Sequence, residues 1–577
     1  MSKTVADGLW EMLVSAGVRR CYGIVGDALN PVVDAMRRNG HIDFVHVRNE
    51  EFGVFAAVAE AKLTGRPVAV CGTAGPGVAH LINGLLDARR ERVPLIVLAG
   101  DTETHLLDSE TVEELNPYQF FASAAVYVGR LVNPGQLRSL VTSAVAASVT
   151  RDGPAVISLP GDIAAAKAPG TSYEIRLPRR ARVAAGPEDL AAMAGMINAA
   201  GTVAVFGGDG CEGAHAEVTA LAAKLNAPVG YTLKGKQFLE HDNANAVGMT
   251  GLLGYGGCHH ALNHADVLLM LGTDFPFSNF LPQGHTRIIQ VDHDPERLGR
   301  RIPVHLGVAG DVQATVAGLL PLVSQKPGDR FLAHCVEETE RFHRKMRHYL
   351  HKGPRIKPIR PEYLAAVLSD LAADDALFFA DTGTPVIWAA RHIRYGGGRR
   401  LFGSFSWASM ASASPNAFGA QLAFPGRQTI ALCGDGGFTM LALGDLLTEV
   451  QRRAAVVHVV LNNSGLDFVK IEQQEGGFVP FGTDFVNPDF AAIAEAAGAK
   501  GIRVEDPADL RDAIAAALAH TGGPVVVDVL TDPYALAIPA HVPAETAAGF
   551  TLSTARQVFS GRLDEVIETA EHNVRLI

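Results

Sequence analysis

Residues 431 to 465 read ALCGDGGFTMLALGDLLTEVQRRAAVVHVVLNNSG. One apolar run stops on Gly434-Asp435-Gly436-Gly437, a helical pattern follows, and a second apolar run stops on Asn462-Asn463. An aspartate at a strand end can offer its carboxylate to a divalent cation, while glycines beside it let backbone amides approach a diphosphate. Asn463, at the end of the next run, can add an amide oxygen, and magnesium favours a carboxylate, neutral oxygens and phosphate oxygens together. Taken singly, each motif reads as a tight turn or a turn cap. In this order they read as one metal–diphosphate site.

Two other glycine-rich stretches compete for a phosphate. Gly208-x-Gly210-x-x-Gly213 lies between the run TVAVF and a helical pattern, the context of a dinucleotide fingerprint. The next run, APVGYTL, ends without an acid for a ribose hydroxyl, so tight helix–strand packing is the better reading. Gly230-YTLK-Gly235-Lys236-Gln237 is one residue short of a P-loop, with Gln237 where a Ser or Thr should hold magnesium and no convincing helix after it. Neither stretch is expected to bind phosphate.

The elements that must carry such a site are short β-branched runs alternating with Ala- and Leu-rich helical stretches: RPVAVCGTAGPG, VPLIVLAGD, PAVISLPGD, DVLLMLGTD, RIIQVDHD, GPVVVDVLTD. Strands apolar throughout and separated by helices imply open parallel sheets covered on both faces, an α/β fold. Nearly every run ends in Gly, Asp or Asn, at the carboxyl edge where such sheets bind ligands. A chain of 577 residues exceeds one core. Breaks at LPRRARVAAGPEDL (177–190) and RFHRKMRHYLHKGPRIKPIRPEY (341–363) divide it into 1–182, 183–345 and 355–530, with a tail at 531–577. The first and third segments are candidates for the same fold twice.

Net charge is −11 with no long basic run, which argues against a nucleic-acid partner. Six scattered cysteines without CxxC spacing read as buried thiols of a cytoplasmic protein. The start, MSKTVADGLWEMLVSAGVRR, reads as a helix and not a signal peptide, and no apolar stretch is long enough to span a bilayer.

GDG, a helix, an apolar strand and NN in series resemble the signature of thiamine diphosphate-dependent enzymes. The chain is similar to their flavin-containing branch, and within it to the bacterial quinone-dependent pyruvate oxidases. The likeness runs through VHVRNEEFGVFAA, the GTAGPG loop, GMTGLLG (248–254), QVDHDP (290–295), GTPVIWAAR (383–391) and AAGFTLSTARQVFSGRLDEVIE. It implies a pyrimidine-binding domain, a central FAD-type domain and a diphosphate-binding domain, with active sites between two subunits of a homotetramer. By the resemblance, Asp435, Asn463 and the carbonyl of Gly465 are magnesium ligands. Gly436 and Gly437 lie at the diphosphate, Ala408 and Ser409 at the pyrimidine, and Ser464 and Leu466 are further cofactor contacts. Met410 is the apolar wedge under the cofactor. Glu50 matches the glutamate that hydrogen-bonds the aminopyrimidine and stabilises its imino tautomer; without the resemblance it would read as a solvated helix charge. Gly251, Leu252, Leu253, Gly254, Asp274, Phe275, Phe277, Ser278 and Asp292 match flavin contacts.

The sequence departs from that pattern in two places. Asn49 replaces a histidine before Glu50, and Val112-Glu113-Glu114 stands where Phe-Gln-Glu is usual. Glu113 therefore puts a carboxylate at the substrate wall, where it would repel a keto acid's own carboxylate unless protonated or paired. Phe468 and Glu472 keep the pattern on the other wall. The resemblance implies oxidative decarboxylation of a pyruvate-like α-keto acid with electrons passing to a quinone. The alternatives are a non-oxidative carboligase or C–C lyase, acetolactate synthase-like with structural FAD, and a catalytically silent regulatory homologue. In the tail, Leu563, Val566, Ile567, Ala570 and Val574 form one helical stripe opposite Asp564, Glu565, Glu568 and Glu571. The family's tail binds the membrane surface; the four acids oppose anionic lipid, and the competing expectation is that the stripe packs on the parent domain.

Overall fold

The structure, a computed structural model, describes residues 3–170, 173–176, 182–539, 542, 544–560 and 562–574. Part of the basic stretch at 177–190 therefore lies outside the described residues. Three parallel six-stranded sheets follow one another along the chain. The first contains β1 (Arg20–Gly23), β2 (Asp43–His46), β3 (Val68–Gly72), β4 (Leu95–Asp101), β5 (Tyr127–Arg130) and β6 (Pro154–Pro160). The second contains β7 (Val203–Gly207), β8 (Val229–Tyr231), β9 (Ala246–Met249), β10 (Val267–Leu271), β11 (Arg287–Asp292) and β12 (Leu306–Ala309). The third contains β13 (Leu377–Ala380), β14 (Arg400–Phe402), β15 (Thr429–Gly434), β16 (Val456–Asn462), β17 (Lys500–Val504) and β18 (Val525–Leu530).

The first sheet is ordered β2-β1-β3-β4-β6-β5, and the third repeats that order as β14-β13-β15-β16-β18-β17. They are one topology used twice. The middle sheet runs β12-β11-β10-β7-β8-β9, the doubly wound dinucleotide order, with its switch point between β7 and β10. Strands β4, β6 and β16 are buried at every position, as continuous apolar runs in a two-sided sheet must be. All six cysteines are buried and unpaired.

The first and third domains share a core. Helix Glu50–Thr64 lies along helix Ala413–Ala423, where Phe52 meets Phe418 at 5.6 Å between ring centroids. A Cβ on Gly419 would sit 2.0 Å from the Ala56 carbonyl oxygen, so the alanines and glycine of these helices let the backbones nearly touch.

The competing glycine motifs have structural explanations. A Cβ on Gly210 would lie 2.6 Å from Gly272 Cα, so this loop is pressed against the end of β10. The P-loop-like stretch is itself helical in its second half, in a short helix Leu233–Leu239 capped by Thr232. Its Lys236 is buried against Tyr255 Oη at 3.0 Å and paired with Glu240, and Gln237 accepts from Leu401 N–H at 3.1 Å in the third domain.

The tail forms helices Ala544–Phe559 and Leu563–Asn573. The expectation that its apolar stripe packs inward is corrected: Leu563, Ile567 and Val574 are exposed, whereas Asn573 is fully buried. The docking edge is polar. Asn573 Nδ2 donates to Tyr534 O at 2.6 Å, its Oδ1 accepts from Leu536 N–H at 3.0 Å, and His572 Nδ1 lies 2.9 Å from Asp532. Among the described residues, no helix is long and apolar enough to cross a membrane.

Candidate active site

Glu50 opens its helix behind Asn49, whose side chain accepts from Glu51 N–H at 2.9 Å. The residue that departs from the family pattern is thus an N-cap, a favoured role for asparagine. Glu50 itself is 4% exposed, which is low for a carboxylate. The GTAGPG loop encloses it: Oε2 lies 3.0 Å from His80 Nδ1, and Oε1 would be 3.2 Å from a Cβ on Gly77. From the third domain, Asp445 accepts from the N–H groups of Arg48 at 2.7 Å and Asn49 at 3.1 Å, while the Thr448 hydroxyl donates to it at 2.8 Å. Burial pushes the Asp445 carboxyl up to about 6. Glu51 accepts from Asn83 at 2.7 Å, and Asn83 also donates to Ser409 Oγ at 3.0 Å.

At the end of β15, Asp435 is 2% exposed. Its Oδ1 accepts from Gly436 N–H at 2.8 Å, and its Oδ2 from Gly465 N–H at 3.3 Å and Asn487 Nδ2 at 2.8 Å. Asn463 Oδ1 accepts from the same Gly465 N–H at 3.3 Å, so the two side-chain oxygens converge on one point. The donors around Asp435 are neutral, and burial raises its pKa. A carboxylate enclosed in this way lacks a compensating charge, and an oxygen-seeking dication fits the donor set. Asp467, which accepts from Asn463 Nδ2 at 2.7 Å, is pushed up to about 7, chiefly by burial and in part by the Asp435 charge.

Glycine is required at the cradle for space. A Cβ on Gly437 would meet Asp381 Oδ2 at 2.3 Å, and one on Gly436 would lie 2.9 Å from Leu466 Cδ2 and 3.3 Å from Met410 Cε. Met410 thus reaches over the Asp435–Gly436 turn. Ala408, two residues before it, and Ala411, directly after it, both have φ of +63°, and Ser464 has +60°. These left-handed conformations are unfavourable for alanine and persist only where the surroundings impose them.

Glu113 is exposed, with φ of +65°, and its Cβ would stand 2.9 Å from a Cβ on Gly75. It therefore borders the loop that encloses Glu50. Val112 beside it is 84% exposed. Glu114 instead closes its own loop, accepting from the N–H groups of Ser109 and Thr111 at 3.2 Å each. Phe468 and Glu472 lie on helix Asp467–Glu475 directly after the cradle, against which the tail helix Ala544–Phe559 packs. Desolvation raises the Glu472 carboxyl.

In the central domain the expected flavin loops meet. Gly251 has φ of +94°, and a Cβ there would lie 2.9 Å from Phe275 Cζ. Gly254 N–H closes the turn on Gly251 O at 2.8 Å, and Arg391 holds the carbonyls of Leu253 and Gly254 at 3.2 and 3.1 Å. Phe277 and Leu252 are partly exposed, while Ser278 begins a short helix. Asp274 is bound by Arg300 and by Arg301 at 3.0 Å. Asp292, at the end of β11, is fully buried and occupied by Asp294 N–H at 3.0 Å and Arg297 Nη1 at 3.3 Å. Burial pushes Asp292 up to about 6.

Sequence models of three thiamine pyrophosphate (thiamine diphosphate) enzyme domains match in order: the N-terminal TPP binding domain at 3–120, the central domain at 190–319 and the C-terminal TPP binding domain at 381–529. A Bacillus subtilis (strain 168) protein, YdaP, whose name describes it as thiamine pyrophosphate-containing, is 33% identical over 98% of both chains. The chain belongs to the thiamine pyrophosphate enzyme family. Within the family it is 30% identical to a pyruvate oxidase of Lactiplantibacillus plantarum, over 90% of this chain and 87% of that one. It is 28% identical to the acetolactate synthase large subunit of Parasynechococcus marenigrum, over 91% and 87%. The matched domains are those that contain Glu50 and the Asp435 cradle.

Four positioning residues escape a sequence reading of this family member: His80, Asp445, Asn487 and Asp381. Asn487 Nδ2 bridges Asp435 and Asn462 Oδ1, the latter at 3.0 Å. Asp381 accepts from Ala413 N–H at 2.8 Å, and burial pushes it up to about 7. For His80, the last residue of the short helix Pro76–His80 at the end of the glycine loop, that loop is the available signal. The other three have no local motif.

Proposed function

We propose that this chain is a thiamine diphosphate-, Mg²⁺- and FAD-dependent oxidase of a pyruvate-like α-keto acid, with a quinone as electron acceptor. The observation that carries the reading is a pair of buried carboxylates: Glu50 under the GTAGPG loop, and Asp435 among glycine amides at the end of β15. Asp435, Asn463 and the Gly465 carbonyl would hold the metal, with Gly436, Gly437, Ser464 and Leu466 around the diphosphate. Ala408 and Ser409 would meet the pyrimidine, supported by Met410. Glu50 holds a proton at the aminopyrimidine nitrogen, and His80 orients its carboxyl. When bound, thiamine diphosphate supplies the electron sink for decarboxylation.

Phe468, Glu472 and Glu113 border the substrate. Glu50 and Asp435 have separate sets of partners, and we assign the complete site to two subunits of a dimer within a homotetramer. The working units are 1–182, 183–345 and 355–530. The middle sheet's dinucleotide order and the meeting of 251–254 with 274–278 support FAD there. In the overall reaction, keto acid and water give the shortened carboxylate, carbon dioxide, two protons and two electrons, and the quinone takes up the protons and electrons. The exposed stripe of helix Leu563–Asn573 is the surface that would meet a membrane on its cytoplasmic side.

The likeness to acetolactate synthases over nine-tenths of the chain favours a second reading, a carboligase in which FAD is structural. Anaerobic addition of pyruvate and other α-keto acids separates the two. Bleaching of the flavin by one of them supports the oxidase. Turnover to a condensed product with the flavin unchanged would replace it with the carboligase.

A further inference from the structure

Helix Cys258–His264 packs against helix Arg330–Lys352 in the central domain. At that contact His260, His334 and Glu338 bring one ligand atom each to within 4.8 Å of one another. None of the three belongs to the groups assigned above. His334 and Glu338 are four residues apart on one helix, and His334 Nε2 lies 3.6 Å from Glu338 Oε1. Two ligands held about 2.1 Å from a tetrahedral metal are about 3.4 Å apart, so this pair already has the required bite. His260 faces them from the other helix, with its ring centroid 4.4 Å from that of His334.

Two further rings pack around His260. His264 stacks on His260 at 4.0 Å with 14° between the ring planes. Its Nδ1 lies 3.0 Å from the His260 carbonyl, which can only accept, so Nδ1 is the donor. Phe331 lies against the His260 imidazole at 6.3 Å.

We propose that His260, His334 and Glu338 form a second metal site, for a divalent transition cation of the Zn²⁺ type, completed by water. Two imidazoles and one carboxylate suit zinc and its neighbours, whereas Mg²⁺ prefers an all-oxygen shell. The site is therefore chemically separate from the Asp435 cradle and is not blocked by excess magnesium. It joins two helices, so an ion there would fasten helix Arg330–Lys352 to helix Cys258–His264.

The test is calorimetric titration of zinc chloride into the full-length holoenzyme in excess Mg²⁺, repeated on His260→Ala, His334→Ala and Glu338→Gln. One zinc per chain is expected for the wild type, with each histidine variant binding at least about tenfold more weakly, since loss of even an outer partner of a metal ligand typically costs 10–100-fold. Wild-type thermal stability should rise with zinc and that of the variants should not, while their zinc-free melting shows that they fold. Absence of zinc uptake by the wild type, or unchanged affinity in all three variants, would overturn the assignment.

Discussion

Asp445 ties the start of helix Glu50–Thr64 in the first domain to the third, and Asp445→Asn tests whether that tie is electrostatically strained. The variant keeps one carbonyl oxygen for Arg48 N–H but turns an NH₂ towards Asn49 N–H, whose 3.1 Å bond is lost. A buried donor left unpaired costs about 1–3 kcal/mol. The wild type has an opposing cost. Its carboxyl is raised to about 6 in the folded chain, against about 3.9 when unfolded. The folded state therefore binds more protons between these values, and stability falls as pH rises. The loss totals about 3 kcal/mol above pH 6, of which about 1.4 kcal/mol falls between about pH 5 and pH 8. Asparagine does not titrate, so the stability gap between wild type and variant should narrow by about that amount over this interval. Paired urea unfolding curves across the range measure it. A gap that stays constant or widens with pH would refute the reasoning.

Glu50→Gln should retain thiamine diphosphate and lose activity by about 10²–10⁴-fold, because an amide cannot supply the proton; wild-type turnover would remove Glu50 from the chemistry. Asp435→Ala should abolish Mg²⁺-dependent retention of thiamine diphosphate while leaving central-domain flavin in place, as measured by cofactor content after gel filtration. The double change Val112→Phe with Glu113→Gln should lower the KM for pyruvate by removing a like charge at the substrate wall. Steady-state kinetics giving an unchanged or higher KM would mean that this wall serves another compound.

The parts of the site that sequence made legible are those encoded by neighbouring residues. Asp435 and Asn463 end consecutive apolar strands, β15 and β16, that also pair side by side, so the sequence order already carries their proximity. The parallel sheets were legible because strands buried on both faces must be apolar throughout. Asp445 and Asn487 act across tertiary contacts: Asp445 reaches Arg48 from a helix with its own amphipathic pattern, and Asn487 reaches Asp435 from a loop without one. The tail misled for a related reason. Helical periodicity identifies the apolar face but does not say which face a docked helix uses, and here the buried Arg360 is met by Asp532 at 2.9 Å and by Asn573 Oδ1 at 3.4 Å. Glu362 also holds that guanidinium, at 2.7 Å, so the docked face is decided less by Arg360 than by the Asn573 amide, whose buried atoms are satisfied by Tyr534 O and Leu536 N–H.

Backbone strain recurs at the site, although not there alone, since Asp108, Glu110 and Asp242 also have positive φ without capping a helix. Among non-glycine residues with positive φ, Arg92, Asp152, Asn226 and Arg453 are C-caps of helices, where the left-handed conformation is ordinary. Ala408, Ala411, Ser464 and Glu113 are not C-caps, and they border Met410, the Asp435 cradle and the GTAGPG loop. Alanine has no side-chain hydrogen bond to offset the left-handed conformation, which costs it about 1–2 kcal/mol. Two such residues bracketing Met410 mean that the packing of the first domain against the third holds this side chain over Gly436 against a local preference for another conformation. The Asn83–Ser409 bond and the Asp445 clamp are the visible restraints. Strain of this kind fixes the position of an apolar side chain that hydrogen bonds cannot aim, as a wedge beneath a bent cofactor requires.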